Sequence, residues 1–73
     1  MEIRQLRYML AVAEERSFSR AAEKLYIAQP HLSQYIKKLE MQIGVKLFDR
    51  SQTPLALTAA GEQFALKARQ LLQ

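Results

Sequence analysis

The segment from residue 29 to residue 44 constrains the fold most, because it has the pattern of one amphipathic helix with a defined start and end. At about 3.6 residues per turn, four of its aliphatic side chains fall within one narrow sector of the helix surface. These residues are Leu32, Ile36, Leu39 and Ile43. Pro30 suits the first turn, where a missing N–H group costs nothing, and Gly44 suits the left-handed residue that ends a helix. The sequence therefore predicts a helix over 29–44 that buries one stripe.

The opposite side of this predicted helix carries polar groups of several kinds. An amide, a hydroxyl, an imidazole and two ammonium groups project away from the buried stripe, together with a proline and a methionine. They belong to Gln34, Ser33, His31, Lys37, Lys38, Pro30 and Met41. Amide and hydroxyl groups can hydrogen-bond base edges, and ammonium groups pair with phosphates. This face fits duplex DNA, although an ordinary solvated face has a similar composition and stays open as an alternative.

Two shorter predicted helices precede this one. The first runs from about Glu2 to Glu15, with apolar residues at helical spacing. Ser19 is predicted to cap a second, short helix that ends near Leu25. A turn over 26–28 separates it from the helix at 29–44. A short helix, a tight turn and a longer helix with an outward polar face form the helix-turn-helix arrangement.

Residues 45–57 predict a small two-stranded hairpin, or wing, because apolar residues flank a polar tip at 51–54. Lys46 and Arg50 lie near the base of this wing. Thr58 is predicted to cap a fourth helix that continues to the end of the sequence. The predicted fold class is therefore mainly α, a winged helix-turn-helix with a three-helix core and a small wing, followed by a linker helix.

The fourth predicted helix divides the chain into a winged helix-turn-helix domain at 1–58 and a linker helix at 59–73. This helix is apolar on more than one side, so we expect a second copy of the chain to cover part of it. The residues predicted to take part in dimerisation are Phe64, Ala65, Leu66, Ala68 and Leu72. Because the sequence has no helix-stop signal after this segment, we expect these residues to be the front end of a longer polypeptide.

Composition argues against several classes of function. The 73 residues contain no cysteine and a single histidine, His31, which lacks partners for catalysis or metal binding. We therefore predict neither an enzyme nor a cofactor in this segment. Eleven Lys and Arg against seven Asp and Glu give a net charge of +4, a modest excess whose placement matters more than its sum. No apolar run reaches the length of a membrane span, and residues 1–16 do not resemble a signal peptide, which favours a cytoplasmic protein.

The ordered motifs of the chain resemble the N-terminal DNA-binding domain of the LysR-type bacterial transcriptional regulators. Each motif alone is weak, but the ordered set covers essentially the whole sequence and is specific. The motifs are Leu6-Arg7-Tyr8, Ser17-Phe18-Ser19-Arg20-Ala21-Ala22, Ala28-Gln29-Pro30-His31-Leu32-Ser33, Ile36-Lys37-Lys38-Leu39-Glu40, Gly44-Val45-Lys46-Leu47-Phe48-Asp49-Arg50 and Leu57-Thr58-Ala59-Ala60-Gly61-Glu62. The resemblance implies a linker helix that pairs antiparallel with its mate, a C-terminal effector domain that responds to a small-molecule inducer, and assembly as dimers or tetramers. It also implies binding to interrupted palindromes near promoters.

The resemblance and the outward face of the third helix together predict which residues contact DNA. The set comprises positions in the second and third helices and in the wing, with the two lysines as phosphate anchors. Its members are Ser19, Arg20, Gln29, Pro30, His31, Ser33, Gln34, Lys37, Lys38, Arg50 and Thr53. Three features depart from the family pattern. Ala28 replaces the usual Ser or Thr cap, Gln34 stands where arginine is frequent and favours adenine over guanine, and the wing tip is less basic.

Two alternatives to this interpretation remain at the level of sequence. A winged helix can serve as a protein-interaction module without touching DNA, in which case acidic or apolar residues are expected on the outside of the third helix. Tyr26 and Tyr35 have rings of the kind that stack on nucleobases in single-strand binders. Their positions beside the apolar stripe instead favour packing against the core.

Overall fold

Four helices and one small hairpin make up residues 2–73, the part of the chain that a computed structural model describes. Met1, the first residue of the predicted domain, lies outside the described residues. In chain order the elements are α1 (Ile3–Glu15), α2 (Phe18–Leu25), α3 (Gln29–Ile43), β1 (Phe48–Asp49), β2 (Ala56–Leu57) and α4 (Ala59–Leu72). The predicted fold class, a three-helix core with a two-stranded wing and a last helix, is confirmed.

The core lies where the four helices meet the base of the wing. The largest fully buried side chains are Met9, Val12, Leu32, Ile36, Leu39 and Leu47. Burial of a side chain of this size stabilises a fold by about 1.5–3 kcal/mol. The predicted stripe of α3 is therefore present at Leu32, Ile36 and Leu39, whereas Ile43 at the end of the helix is partly buried.

The start of α2 differs from the sequence prediction. Ser17, in an extended conformation, caps this helix, and its hydroxyl accepts a hydrogen bond from the Arg20 N–H at 3.1 Å. Ser19 lies inside the first turn and is exposed, so its prediction as the cap is wrong. The earlier start brings Phe18 into the helix, and its ring packs edge-on against the ring of Phe48 at 5.9 Å. This aromatic contact favours Ser17 over Ser19 as the N-cap of α2.

The turn between α2 and α3 depends on a left-handed residue. Tyr26 has φ 59° and ψ 42°, and its N–H donates to the carbonyl oxygens of Ala22 and Glu23. The N–H of Ile27 also donates to Ala22, at 3.0 Å. The Tyr26 side chain is 94% exposed, so the prediction that it packs against the core is wrong. Reversal of the chain at this residue directs its side chain outward.

The wing is an antiparallel hairpin with two residues in each strand. Phe48 pairs with Leu57, and Asp49 pairs with Ala56. At the tip, the Asp49 carboxylate accepts hydrogen bonds from the Ser51 hydroxyl at 2.6 Å, the Ser51 N–H at 3.0 Å and the Gln52 amide at 3.0 Å. The bonds from Ser51, above all from its hydroxyl, lower the pKa of Asp49. The tip is thus ordered by its own side chains.

The start of α4 is fixed against the residues that lead into the wing. The Thr58 hydroxyl accepts from the Gly61 N–H at 3.0 Å and donates to the Lys46 carbonyl oxygen at 2.6 Å. The Thr58 N–H donates to the Leu47 carbonyl oxygen at 3.0 Å. Gly61 passes so close to Leu47 that a Cβ atom at residue 61 would overlap this same carbonyl oxygen. Thr58 is therefore the cap of α4, as predicted.

The buried side of α4 packs against α1. Ala65 and Ala68 are each 1% exposed and belong to the core of their own domain. The prediction that these two alanines form a dimer contact is therefore wrong, because small side chains at these positions are needed for α4 to approach α1. Phe64 and Leu72 are partly buried against the same core. Leu66 is 58% exposed on the other side of the helix.

Candidate nucleic-acid interface

The outward face of α3 is exposed and mostly polar, with Met41 as an exposed apolar residue. Gln34, Lys37 and Lys38 are exposed, and so is His31 in the first turn. Gln34, His31 and Lys38 border a shallow depression whose floor includes Tyr35. Because Leu32, Ile36 and Leu39 are buried on the other side, the helix cannot rotate this face inward without exposing the core. The face is thus held outward by packing.

Arg50 connects the wing to the N-terminal half of α3. Its guanidinium Nη1 donates to the Ser33 hydroxyl oxygen at 2.7 Å, and Nη2 lies 3.4 Å from the Ser33 carbonyl oxygen. The guanidinium carbon also sits 4.2 Å from the centre of the Phe18 ring, a cation–π arrangement. Three parts of the fold, the first turn of α2, the N-terminal half of α3 and the residue that follows β1, therefore meet at one side chain.

A buried carboxylate, that of Glu40, lies near the contact between Arg50 and α3. Glu40 on α3 is 3% exposed, and its Oε2 accepts from the N–H of Leu47 at 2.7 Å and of Phe48 at 3.3 Å. The other oxygen, Oε1, lies 4.0 Å from Arg50 Nη2 and makes no hydrogen bond within residues 2–73. These contacts position the base of the wing against α3. Sequence reasoning missed Glu40, although an acid next to the buried stripe was a signal that it needs nearby donors.

An aromatic pair closes the other flank of α3. The rings of Tyr8 and Tyr35 lie 4.8 Å apart with 55° between their planes. Burial of the hydroxyl raises the pKa of Tyr35, so the phenol is neutral at ordinary pH. Tyr35 therefore packs against Tyr8 of α1 and is partly buried, so the prediction that it packs against the core is confirmed.

The remaining residues predicted to bind DNA occupy three places on the surface. Ser19 and Arg20 are exposed in the first turn of α2, beside Phe18 and hence beside the Arg50 junction. Gln29 and Pro30 are exposed at the start of α3. Thr53 is exposed in the wing tip, and no side-chain hydrogen bond within residues 2–73 connects it to α3. Among the predicted DNA-binding residues, hydrogen bonds bring together Arg50 and Ser33.

Residues 2–73 contain no group of three or more His, Cys, Asp or Glu side chains arranged to hold a metal ion. Every helix within residues 2–73 is too short or too polar to cross a membrane.

A short helix, a turn, a second helix with an exposed polar face and a small hairpin define a winged helix-turn-helix domain. Over residues 3–62 the chain matches the family model of the bacterial regulatory helix-turn-helix proteins of the lysR family. The protein therefore belongs to the LysR family.

Curated relatives are longer than this chain. YnfL of Escherichia coli, an uncharacterized HTH-type transcriptional regulator, is 54% identical over 72 residues, which cover 99% of this chain and 24% of YnfL. TfdT of Cupriavidus pinatubonensis, an HTH-type transcriptional regulator, is 53% identical over 72 residues, which cover 99% of this chain and 32% of TfdT. The chain thus spans about a quarter to a third of these relatives, which are named as transcriptional regulators and not as enzymes.

Solved structures of the same fold include complexes with DNA. The complex of the BenM DNA-binding domain with catB site 1 DNA matches with a TM-score of 0.95 and 49% identity, covering 99% of this chain and 80% of that one. BenM is a regulator of Acinetobacter baylyi. The complex of the CbnR DNA-binding domain with DNA matches with a TM-score of 0.91 and 43% identity, covering 99% of this chain and 83% of that one.

Proposed function

We propose that this chain binds double-stranded DNA sequence-specifically, as the operator-reading domain of a LysR-type transcriptional regulator. The observation that carries the proposal is the near-identical backbone of the BenM domain in its DNA complex. The exposed amide and ammonium groups on α3 supply the chemistry that such a complex needs.

In this proposal α3 enters the major groove by its N-terminal half. Gln34 and Ser33 contact base edges, and Lys37 and Lys38 pair with phosphates. An amide matches the N6 and N7 groups of adenine, so Gln34 favours adenine at the base pair it contacts. The other proposed contacts are Ser19, Arg20, Gln29, Pro30, His31, Arg50 and Thr53. They lie on the α2 turn, the start of α3 and the wing.

Titration of the protein with a preferred and a random duplex at two salt concentrations tests this proposal. Gln34→Ala is expected to weaken binding to the preferred duplex by about 1–3 kcal/mol and to leave binding to the random duplex nearly unchanged. Lys37→Ala is the matched control, because loss of one phosphate contact weakens both duplexes equally and reduces the salt slope by about 0.9. An equal effect of Gln34→Ala on both duplexes would contradict the proposed reading face.

We further propose that two copies of the protein pair along α4 and bind the two halves of an interrupted palindrome near a promoter. The exposed apolar side chains that this pairing could cover are Leu71, which is 72% exposed on the same side of α4 as Phe64, and Leu66, which is 58% exposed on the other side of the helix. In this view residues 1–58 form the DNA-binding domain and 59–73 the linker helix. A tetramer, an effector domain that binds a small-molecule inducer and a cytoplasmic, nucleoid-associated location complete the proposal for the longer protein.

A protein-interaction module without DNA contact is the alternative function. It calls for apolar or acidic residues on the outside of α3, and one such residue is present, Met41, which is 81% exposed. The neighbouring outward positions are polar or basic, namely Gln34, Lys37 and Lys38. This composition favours DNA, and absence of any salt-dependent binding to duplex would instead support the alternative.

A further inference from the structure

The guanidinium of Arg50 is held by the protein from several sides. It donates to both oxygens of Ser33, lies over the Phe18 ring and faces the buried Glu40 carboxylate at 4.0 Å. The side chain is 30% exposed. A planar guanidinium can make these contacts simultaneously, whereas a compact ammonium group cannot span them. The arrangement is therefore specific to arginine and fixes Ser33 more tightly than a serine on a free helix face.

This contact determines how the Ser33 hydroxyl can bond to anything else. A serine hydroxyl has one hydrogen to donate and oxygen lone pairs that accept. The 2.7 Å bond from Arg50 occupies an acceptor site on the oxygen, and repulsion from the guanidinium hydrogens turns the hydroxyl hydrogen away from Arg50. Within residues 2–73 this hydroxyl makes no donor hydrogen bond. The hydrogen is thus left for a group outside the protein.

We propose that Arg50 is a positioning residue that makes Ser33 a dedicated hydrogen-bond donor toward a base edge. The inference rests on the proposed function and deepens it. A donor in the major groove matches O6 or N7 of guanine, N7 of adenine or O4 of thymine. It does not match the N4 amino group of cytosine, which itself donates. Arg50 therefore contributes to sequence discrimination by acting through Ser33.

A direct contact between Arg50 and a phosphate is the competing role, and it makes a different demand on the side chain. A phosphate contact needs positive charge near the backbone, which lysine also supplies. Orientation of Ser33 needs the fork that reaches the hydroxyl and the carbonyl oxygen together. Arg50→Lys therefore separates the two roles, because it keeps the charge and removes the fork.

The test measures binding of the protein to four duplexes of about 20 base pairs that differ at a single base pair. Ser33→Ala first identifies that base pair as the one whose discrimination it abolishes. We expect Arg50→Lys to reduce discrimination there by roughly three- to tenfold, mainly by admitting cytosine, with the salt slope unchanged because the positive charge is kept. The double variant Arg50→Lys, Ser33→Ala is expected to match Ser33→Ala alone.

Three results would overturn the inference. They are full discrimination in Arg50→Lys, additive losses in the double variant, and no base pair at which Ser33→Ala changes discrimination. Circular dichroism checks that each variant is folded. If Arg50→Lys is unfolded, Arg50→Gln replaces it. Because glutamine removes the charge as well as the fork, the decisive results are then the loss of discrimination at that base pair and its non-additivity with Ser33→Ala. Failure of the proposed function itself looks different, because the unmodified protein would then bind none of the four duplexes.

Discussion

The helices α3 and α4 share one core but present opposite chemistry to the outside. Both bury an apolar stripe, through Leu32, Ile36 and Leu39 in α3 and through Ala65 and Ala68 in α4. The outside of α3 is mostly amide and ammonium groups, whereas exposed leucines lie on α4. Since burial of the stripe is common to both, the outward residues decide the partner. A polyanion suits the first helix, and an apolar surface suits the second.

The two helices are tied together at one residue, Leu47. Its N–H donates to the Glu40 carboxylate of α3 at 2.7 Å, and its carbonyl oxygen accepts from the N–H of Thr58, the cap of α4, at 3.0 Å. Its side chain is fully buried in the core. A displacement of α4 therefore acts on the same residue whose N–H positions the wing against α3. The relative placement of the outward faces of α3 and α4 therefore depends on the backbone hydrogen bonds of Leu47.

The largest expected effect comes from filling the space where α4 approaches this residue. Gly61→Ala would place a methyl group against the Leu47 carbonyl oxygen, which belongs to the backbone and cannot rotate away. We expect the free energy of unfolding to fall by about 3 kcal/mol, the upper end of the usual cost of overpacking, since backbone must shift to relieve the overlap. Chemical denaturation of both proteins measures the difference.

The other glycine provides a matched control for this substitution. Gly44 has a φ of 81° and nothing within 4 Å of the position that a Cβ atom would take. Gly44→Ala therefore tests left-handed strain without overlap and is expected to cost about 1 kcal/mol. If the two substitutions cost the same, close approach of α4 to Leu47 is not what requires glycine at residue 61.

The next largest effect tests the apolar outside of α4. Leu66→Glu is expected to raise the dissociation constant of the proposed dimer at least about 100-fold, because it would place a carboxylate in each copy of the interface. Phe64→Glu is a poorer probe, since Phe64 also packs against its own core. Sedimentation at several protein concentrations measures the change.

Met41→Glu on α3 is the control for Leu66→Glu, because it makes the same apolar-to-acid change at a side chain that is 81% exposed. We expect it to leave self-association unchanged. A loss of self-association with Met41→Glu but not with Leu66→Glu would place the partner surface on α3 and reverse the comparison between the two helices.

The sequence predicted features that depend on neighbours within a few residues. The stripe of α3, its end at Gly44 and the cap at Thr58 follow from local periodicity and backbone preference, and all three are present. The cap of α2 was predicted at the wrong serine, since Ser19 has the same capping chemistry as Ser17. The choice between them depends on contact of Phe18 with Phe48, which lies in the wing and is distant in sequence.

The exposed residues of the candidate site could be predicted from the sequence. The long-range contacts that position these residues could not. Polar residues opposite a buried stripe face outward by geometry alone, as Gln34 and Lys37 do. The hydrogen bond between Arg50 and Ser33 spans 17 positions, and no local pattern specifies it. Ala65 and Ala68 are a second case in which local sequence does not specify a long-range contact. The sequence marks them as apolar, but the packing of α4 on α1 decides what covers them.

The smallest expected effect comes from a second difference between α3 and α4, which lies at their N-cap residues. Thr58 and Ala28 have similar extended backbones, with φ −73° and −70°, but Ala28 has no oxygen to accept from the start of α3. Pro30 has no N–H, so the donor left for a side-chain cap is His31. Ala28→Ser is therefore expected to stabilise the protein by about 0.5–1 kcal/mol, seen as a rise of about 2–8 °C in Tm.

A serine placed one residue into α4 serves as the control for this gain. Ala59→Ser follows a residue that already caps its helix, because the Thr58 hydroxyl accepts from Gly61. It is expected to leave Tm unchanged or slightly lowered, since serine is a weaker helix former than alanine. Equal stabilisation by both serines would mean that hydroxyl groups act there through solvation. Stabilisation by Ala28→Ser alone would show that α3 begins with unpaired N–H groups, which a phosphate of bound DNA is then free to accept from.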